Sequence, residues 1–309
     1  IVPCFNEEAV LPYTVNELTI SLQGLLTKGK IAEGSYLCLV DDGSTDNTWK
    51  LIQEAAQQNP NIKGIKLSSN FGHQNALVAG LFTERAKADC LITIDADLQD
   101  DITVIETMID KYAEGNKIVY GVRDNRESDS FWKRNSAQFY YRLLKLLKIK
   151  TVYNHADFRL ADSKVIASLQ RYNEVNLFLR GIFPLMSYRS DVVQYSRTER
   201  QFGETKYPFR KMLSLAWQGV TSFNTSLLRI VTWMGISMFF LSIIISLWVL
   251  IAFIRGKTIP GWSSMLLIIT LFSGINMVCL GLIGEYVGKI FLEVKKRPRF
   301  LIEEETPKA

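Results

Sequence analysis

The chain has 309 residues, 48% of them hydrophobic and 22% charged, with a formal net charge of +5. That length allows one large core plus a further segment. The slight positive charge excludes a strongly basic nucleic-acid binder, and the basic residues crowd near the C-terminal apolar runs, where anionic lipid or phosphate is the better partner.

Ile1–Phe5 reads as the end of a strand that leads into Asn6-Glu7-Glu8 and then a helix to about Leu26. Tyr36–Val40 is a second strand, closed by Asp41-Asp42-Gly43-Ser44-Thr45-Asp46 and followed by a helix from about Thr48 to Gln58. Ile62–Leu67 is a third strand, and Asn70-Phe71-Gly72-His73 opens a helix through Leu81. Leu91–Ile94 is the fourth strand; it runs into Asp95, Asp97, Gln99 and Asp100. A helix over Thr103–Tyr112 and a strand over Lys117–Gly121 follow. Strands alternating with helices of this length predict βαβ units and a mostly parallel, Rossmann-like α/β sheet.

Beyond this sheet, Arg123–Arg134 is a basic loop and Phe131–Ile149 an amphipathic helix. His155–Leu160 is a short acidic–aromatic segment, Val175–Gly181 is expected to be helical, and Asp191–Tyr195 is a late strand. The basic stretch after Arg197 and the amphipathic residues Tyr207–Phe223 read as interfacial helices. Two charge-free runs follow, Ile230–Ile254 and Thr258–Gly284, each longer than the roughly 20 residues that cross a bilayer. The short link between them predicts a transmembrane helix hairpin. Basic residues flank it on both sides, Lys206, Arg210, Lys211 and Arg229 before and Lys289, Lys295, Lys296, Arg297 and Arg299 after. That asymmetry places both ends and the N-terminal domain in the cytoplasm, at the inner (plasma) membrane.

The expected division is therefore a catalytic domain over 1–206, interfacial helices over 207–229, a hairpin over 230–288 (about 230–254 and 262–287) and a basic tail over 289–309. No targeting peptide is visible, and the start at Ile1, partway into a strand, leaves room for an N-terminal extension. Cys4, Cys38, Cys90 and Cys279 form no CxxC pair and read as reduced core or membrane residues.

Three strands end in acidic or amide residues at what would be the carboxyl edge of the sheet, where open α/β sheets bind ligands. Two carboxylates in an Asp-x-Asp spacing suit a hard divalent cation, Mg2+ or Mn2+, that also holds substrate phosphates. The bland reading is a strand end, a polar turn and a helix cap, and for Ser44–Asp46 that reading stands. No GxxxxGK[ST] or GxGxxG occurs, so a P-loop or dinucleotide enzyme is unsupported. The two histidines, His73 and His155, form no zinc motif, and His73 reads as a helix-start residue.

Val2-Pro3-Cys4-Phe5-Asn6-Glu7-Glu8, the Asp41–Asp46 segment and Asp95-Ala96-Asp97-Leu98-Gln99-Asp100 resemble the successive motifs of family 2 inverting glycosyltransferases with the GT-A fold. Phe202-Gly203-Glu204-Thr205-Lys206-Tyr207 is similar to the FGxSKY segment of their polyprenyl-phosphate branch, with Thr in place of Ser, and the tail from Gly281 resembles bactoprenol glucosyltransferases, relatives of dolichol-phosphate mannose synthase.

The resemblance implies a nucleotide site of Pro3, Phe5, Glu7, Asp41, Asp42 and Asp95. It implies metal ligation by Asp95, Asp97 and Gln99, with Asp97 and Asp157 as the catalytic residues. Arg200 and Lys206 would bind diphosphate or lipid phosphate, with Arg123 and Arg134 near the acceptor. The implied reaction moves one sugar, glucose from UDP-glucose, to undecaprenyl phosphate with inversion. GDP-mannose or a UDP-amino sugar are alternative donors. Asp157 would orient the acceptor, contact a sugar hydroxyl or take the residual proton. A processive polysaccharide synthase would carry QxxRW and more spans, which the sequence lacks. A non-catalytic membrane adaptor is opposed by the intact Asp95-x-Asp97 pair. Two helices alone offer little buried surface, which points to a homo-oligomer.

Overall fold

The computed structural model describes residues 1–123, 155–172, 174, 178–196, part of 231–255, and 261–306. Arg134, Arg200, Lys206 and the amphipathic helices expected over 131–149 and 207–229 lie outside these residues. The chain forms two compact units, Ile1–Ser214 with Pro298–Ala309, and Leu215–Arg297.

In the first unit β1 (Val2–Cys4), β2 (Leu37–Asp41) and β3 (Ile62–Leu67) pair in parallel. Helices α1 (Leu11–Thr27), α2 (Thr48–Gln58) and α3 (His73–Glu84) connect them and lead onward. Successive residues of β2 face opposite sides of the sheet. Leu39 joins the core with Leu11, Leu18 and Ile52 from α1 and α2, while Cys38 and Val40 pack with Ala76 and Ala79 of α3. Burial on both faces is why β2 reads as a continuous apolar run rather than an alternation.

A second sheet has the order β4-β6-β5-β7, formed by β4 (Cys90–Thr93), β5 (Ile118–Arg123), β6 (His155–Asp162) and β7 (Ser190–Tyr195). It meets the first where the Ile1 nitrogen donates to the Ile92 carbonyl at 2.6 Å and the Ile94 nitrogen to the Ile1 carbonyl at 3.1 Å. Helix α4 (Ile105–Ala113) lies between β4 and β5 in the chain, and α5 (Ser163–Leu169) and α6 (Leu179–Leu185) between β6 and β7.

The expected mostly parallel sheet is corrected to a mixed one. β6 runs antiparallel to both β4 and β5, and β8 (Ile302–Glu305) runs antiparallel to β3. The order of elements hides this, because β6 enters between strands that precede it and β8 arrives from the far end of the chain. β8 is held by its edge. Glu304 accepts from Trp49 Nε1 at 3.2 Å and Gln53 Nε2 at 3.0 Å, and Thr306 exchanges two 2.9 Å bonds with Gly64.

In the second unit, every described position from 231 to 254 is helical. Helix α7 (Trp262–Lys295) has 34 residues, roughly 50 Å at 1.5 Å per residue. Within it Phe272–Lys295 is long and apolar enough to cross a membrane, one such helix among the described residues. Met277, Val278 and Ile290 are among its exposed apolar side chains.

Candidate active site

The carboxyl ends of β1 and β2 are laced together by their loops. Asn6, at φ 53°, accepts from the Thr45 nitrogen at 2.9 Å, while its own nitrogen donates to Ser44 Oγ at 2.9 Å. The Glu7 nitrogen donates to Thr48 Oγ1 at 2.9 Å and the Glu8 nitrogen to Asp46 Oδ2 at 3.2 Å. Pro3 is buried within β1, Phe5 is exposed and Glu7 half-buried. Asp41 Oδ2 accepts from the Ser44 nitrogen at 3.3 Å, whereas its buried Oδ1 accepts no hydrogen bond from the described residues. Asp42 spends both oxygens on backbone, accepting from the Phe71 nitrogen at 2.8 Å and the Gly72 nitrogen at 2.9 Å. Burial raises both carboxyls above the ordinary aspartate range.

The acidic loop after β4 is braced from three sides. Thr14 of α1, fully buried, donates its hydroxyl to the Ala96 carbonyl at 2.6 Å. Leu98 takes a left-handed conformation at φ 43°, and the Gln99 nitrogen donates to Asp97 Oδ1 at 3.3 Å. Asp100 accepts from the Tyr195 hydroxyl at 2.6 Å and from Arg123 Nη2 at 3.0 Å. Arg123, expected near the acceptor, is thus an ion-pair brace of this loop in the structure. Thr14→Val keeps the shape and removes the donor. The expected loss is about 1–2 kcal/mol from a carbonyl left unsatisfied, measured by denaturant unfolding, with weaker nucleotide binding.

Within this frame the structure brings Asp95 and Asp157 together around His73. Asp95 Oδ1 is buried without a hydrogen bond from the described residues, and His73 Nε2 stands 3.4 Å away. Burial, reinforced by Asp157, Asp100 and Asp97, raises the Asp95 carboxyl against the pull of His73. The same His73 nitrogen is 3.7 Å from Asp157 Oδ2. Asp157, on β6 and 5% exposed, is gripped by two guanidiniums. Arg159 donates Nη2 to its Oδ1, and Arg180 of α6 donates Nη2 to its Oδ2 at 2.9 Å. Arg159 is itself buried, with its guanidinium carbon 4.6 Å from the Phe183 ring centre. Burial alone would raise Asp157; Arg180, the His73 contact and Arg159 more than reverse that and hold it well below the ordinary range.

Sequence reasoning missed His73, Arg159 and Arg180. His73 and Arg180 lie 84 and 23 residues from Asp157 along the chain, and only the pairing of β6 and the docking of α6 bring them there.

The fit of a divalent cation can be judged from these groups. Among the described residues no three His, Cys, Asp or Glu side chains form a ready cluster. Asp95 does present a buried oxygen without a hydrogen bond from the described residues, two residues from Asp97. Mg2+-type sites commonly use one or two carboxylates and complete their shell with water and substrate phosphates, so the donor set fits a metal that arrives with a diphosphate.

Glycosyl transferase family 2 matches residues 1–169. The uncharacterized glycosyltransferase YkoT of Bacillus subtilis is 48% identical, over 98% of this chain and 90% of its own. A prophage bactoprenol glucosyl transferase homolog of Escherichia coli is 35% identical, and the bactoprenol glucosyl transferase of Shigella phage SfX is 36% identical, each over 98% of this chain and 97% of the relative. With the family model matching more than half of the chain and these relatives alike over nearly all of it, the chain belongs to glycosyl transferase family 2.

Proposed function

We propose that the protein transfers one glucose from UDP-glucose to a membrane polyprenyl phosphate of the undecaprenyl type, with inversion. The observation that carries this reading is the buried Asp95 oxygen with no hydrogen bond from the described residues, joined through His73 to the arginine-gripped Asp157. On this reading Asp95 would serve a metal-bound diphosphate and the Asp157 cluster an incoming phosphate. Relatives named bactoprenol glucosyl transferase, alike over nearly the whole chain, support both the sugar and the lipid.

On the donor side, Asp41 Oδ1 offers a buried acceptor to the nucleoside, with Pro3, Phe5 and Glu7 beside it. Asp42 acts by holding the Phe71–Gly72 turn. Asp95 and Asp97, with Gln99, would hold the cation, which when bound supplies charge to the leaving diphosphate. On the acceptor side, a phosphate monoester with a second pKa near 6 is mostly dianionic at neutral pH, so placement matters more than proton removal. Asp157, held ionised by its partners, serves as the mount for Arg180. The Arg180 side chain is 42% exposed, and its planar fork suits a phosphate. Arg134, Arg200 and Lys206 are proposed as further phosphate contacts, and Arg123 braces the acidic loop through Asp100.

The apolar segment 231–254 and α7 are proposed as a membrane hairpin with both ends in the cytoplasm, and a homo-oligomer would cover apolar surface that the hairpin leaves. The test is purified protein, undecaprenyl phosphate, UDP-glucose and Mg2+, with the lipid fraction read by mass spectrometry. The expected product is undecaprenyl phosphate plus a single hexose. A ladder of hexoses would favour a processive synthase, and an unchanged lipid would refute transfer.

A further inference from the structure

The C-terminal segment 298–306 meets the donor side of its domain at the loop between β3 and α3. The Leu301 carbonyl accepts from the Ser68 nitrogen at 2.9 Å, where the loop leaves β3. Phe300, half-buried, packs on the cluster of Val40, Ile65, Leu67 and Ala76, and Phe71 of the loop packs on the same cluster. Glu303 pairs with Lys66 Nζ at 3.1 Å, and Lys66 stands opposite Asp41 in the β2–β3 register. Arg299 donates Nη2 to the Tyr172 carbonyl, which ties the segment to the turn after α5. Ser68, Ser69 and Asn70 are exposed, so burial of their own side chains does not hold the loop. Its course is set by grips on its backbone, Leu301 at Ser68 and Asp42 at the Phe71 and Gly72 nitrogens. Between these grips the loop passes Gly43 so closely that a Cβ there would lie 2.4 Å from the Ser69 carbonyl carbon.

We propose that Phe300 is a positioning residue for the donor site. Phe300 and the Leu301 bond fix the start of the loop, and Asp42 fixes its end. With the start held, Ser69 stays against Gly43, and Asp41 and Asp42, immediately before Gly43, keep their place at the end of β2. His73, immediately after the loop, keeps its place 3.4 Å from Asp95 Oδ1. Removal of the Phe300 ring leaves a gap in the cluster that Phe71 shares, and a gap of that kind is relieved by movement of its surroundings. The exposed loop is the part with least to resist that movement. A side chain that touches no substrate thus governs nucleotide affinity from the far end of the chain, beyond residues 1–169 that match glycosyl transferase family 2. The inference rests on the donor site proposed above, and it adds that this site is incomplete without the C-terminal segment.

The test uses the full-length protein in detergent, with UDP titrated in the presence of Mn2+ by calorimetry. Phe300→Ala is expected to weaken UDP about tenfold, the scale of one misplaced hydrogen bond, with the number of sites per chain unchanged. A merely structural role would do the reverse, because a partly unfolded population lowers the number of sites and leaves the affinity of the folded remainder as it was. Phe300→Leu, which keeps part of the apolar bulk, is expected to bind UDP about threefold more weakly than the wild type, and decides the matter if the alanine variant does not fold. Glu304→Ala removes the bonds to Trp49 and Gln53 further along the same strand. It is expected to lower Tm while UDP binds within about twofold of the wild type. Unchanged UDP affinity in the Phe300 variants would overturn the proposal, and so would a loss in Glu304→Ala as large as that in Phe300→Ala. A wild type that binds no UDP in the presence of Mn2+ would instead bring down the proposed donor site, and this inference with it.

Discussion

Asp157→Asn is expected to reduce transfer at least about 100-fold, and equally at pH 6, 7 and 8, because a misplaced reacting group costs on that scale. A general base would behave differently. At pH 8 the acceptor phosphate is already dianionic and the variant would be near normal, whereas at pH 6 it would fail. The ion pairs around Asp157 favour the first profile. Arg180, His73 and Arg159 hold the Asp157 carboxyl well below its ordinary value, far from the match to working pH that an efficient base needs. The substitution also removes the counter-charge of the Arg159 guanidinium, which is buried with an Nη1 that has no hydrogen-bond partner among the described residues. Removing one member of a buried ion pair costs about 3–5 kcal/mol.

The sign of the pH dependence follows from the direction of the shift. A carboxyl depressed on folding contributes stability above its unfolded pKa, near 4, and loses it only as pH falls through the lower folded value. Above pH 6 the carboxylate's own share of the stability gap between wild type and Asp157→Asn is constant. Against burial, however, Asp157 also raises the His73 imidazole above its ordinary value, and that share is lost as pH rises through the folded value, so the gap is expected to narrow from pH 6 to 8 in thermal melts. A gap that widens across that window would contradict the assignment.

Gly43→Ala is expected to cost about 3 kcal/mol or more, the range of severe backbone and packing lesions. In a domain of this size that is roughly 6–12 °C in Tm. Gly43 sits at φ 65°, and an added Cβ would lie 2.4 Å from the Ser69 carbonyl carbon and 2.7 Å from its Cα. Both clashing atoms are backbone, so no rotamer change relieves them. The displaced Ser69–Asn70 segment leads into Phe71 and Gly72, the nitrogens that Asp42 holds. Activity is therefore expected to fall together with stability, because the turn that aims His73 moves. A Gly43→Ala variant that melts within about 2 °C of the wild type would show that the approach is looser than described.

Much of the donor side was legible in the sequence because its signals are local. β2 and β3 announce themselves as apolar runs cut off by turn residues, and the helix over Thr48–Gln58 carries its own start and stop. The acidic loop after β4 was equally plain, although its brace by Thr14 was not, since a threonine in the first turns of a helix carries no mark of the carbonyl it will meet. The acceptor side was harder to read for physical reasons. β6 does alternate, with Phe158 and Leu160 in the core and Asp157 and Arg159 on the other face, but a buried Asp and Arg disguise a strand as a polar segment. Its antiparallel pairing is set by long-range contacts that no local propensity encodes. Arg180 carries no local mark of its role, and only the placement of α6 puts it on Asp157. β8 is recruited through its backbone, so Ile302–Glu305 reads in the sequence as an acidic end rather than as a strand.

The measurement that tests the central claim most directly offers membranes containing the protein a set of labelled nucleotide sugars, UDP-glucose, GDP-mannose and a UDP-amino sugar, each with and without a chelator, and extracts the lipid. Labelled lipid from UDP-glucose, abolished by the chelator and restored by Mg2+ or Mn2+, is the predicted result. Absence of labelled lipid with every donor would contradict the account.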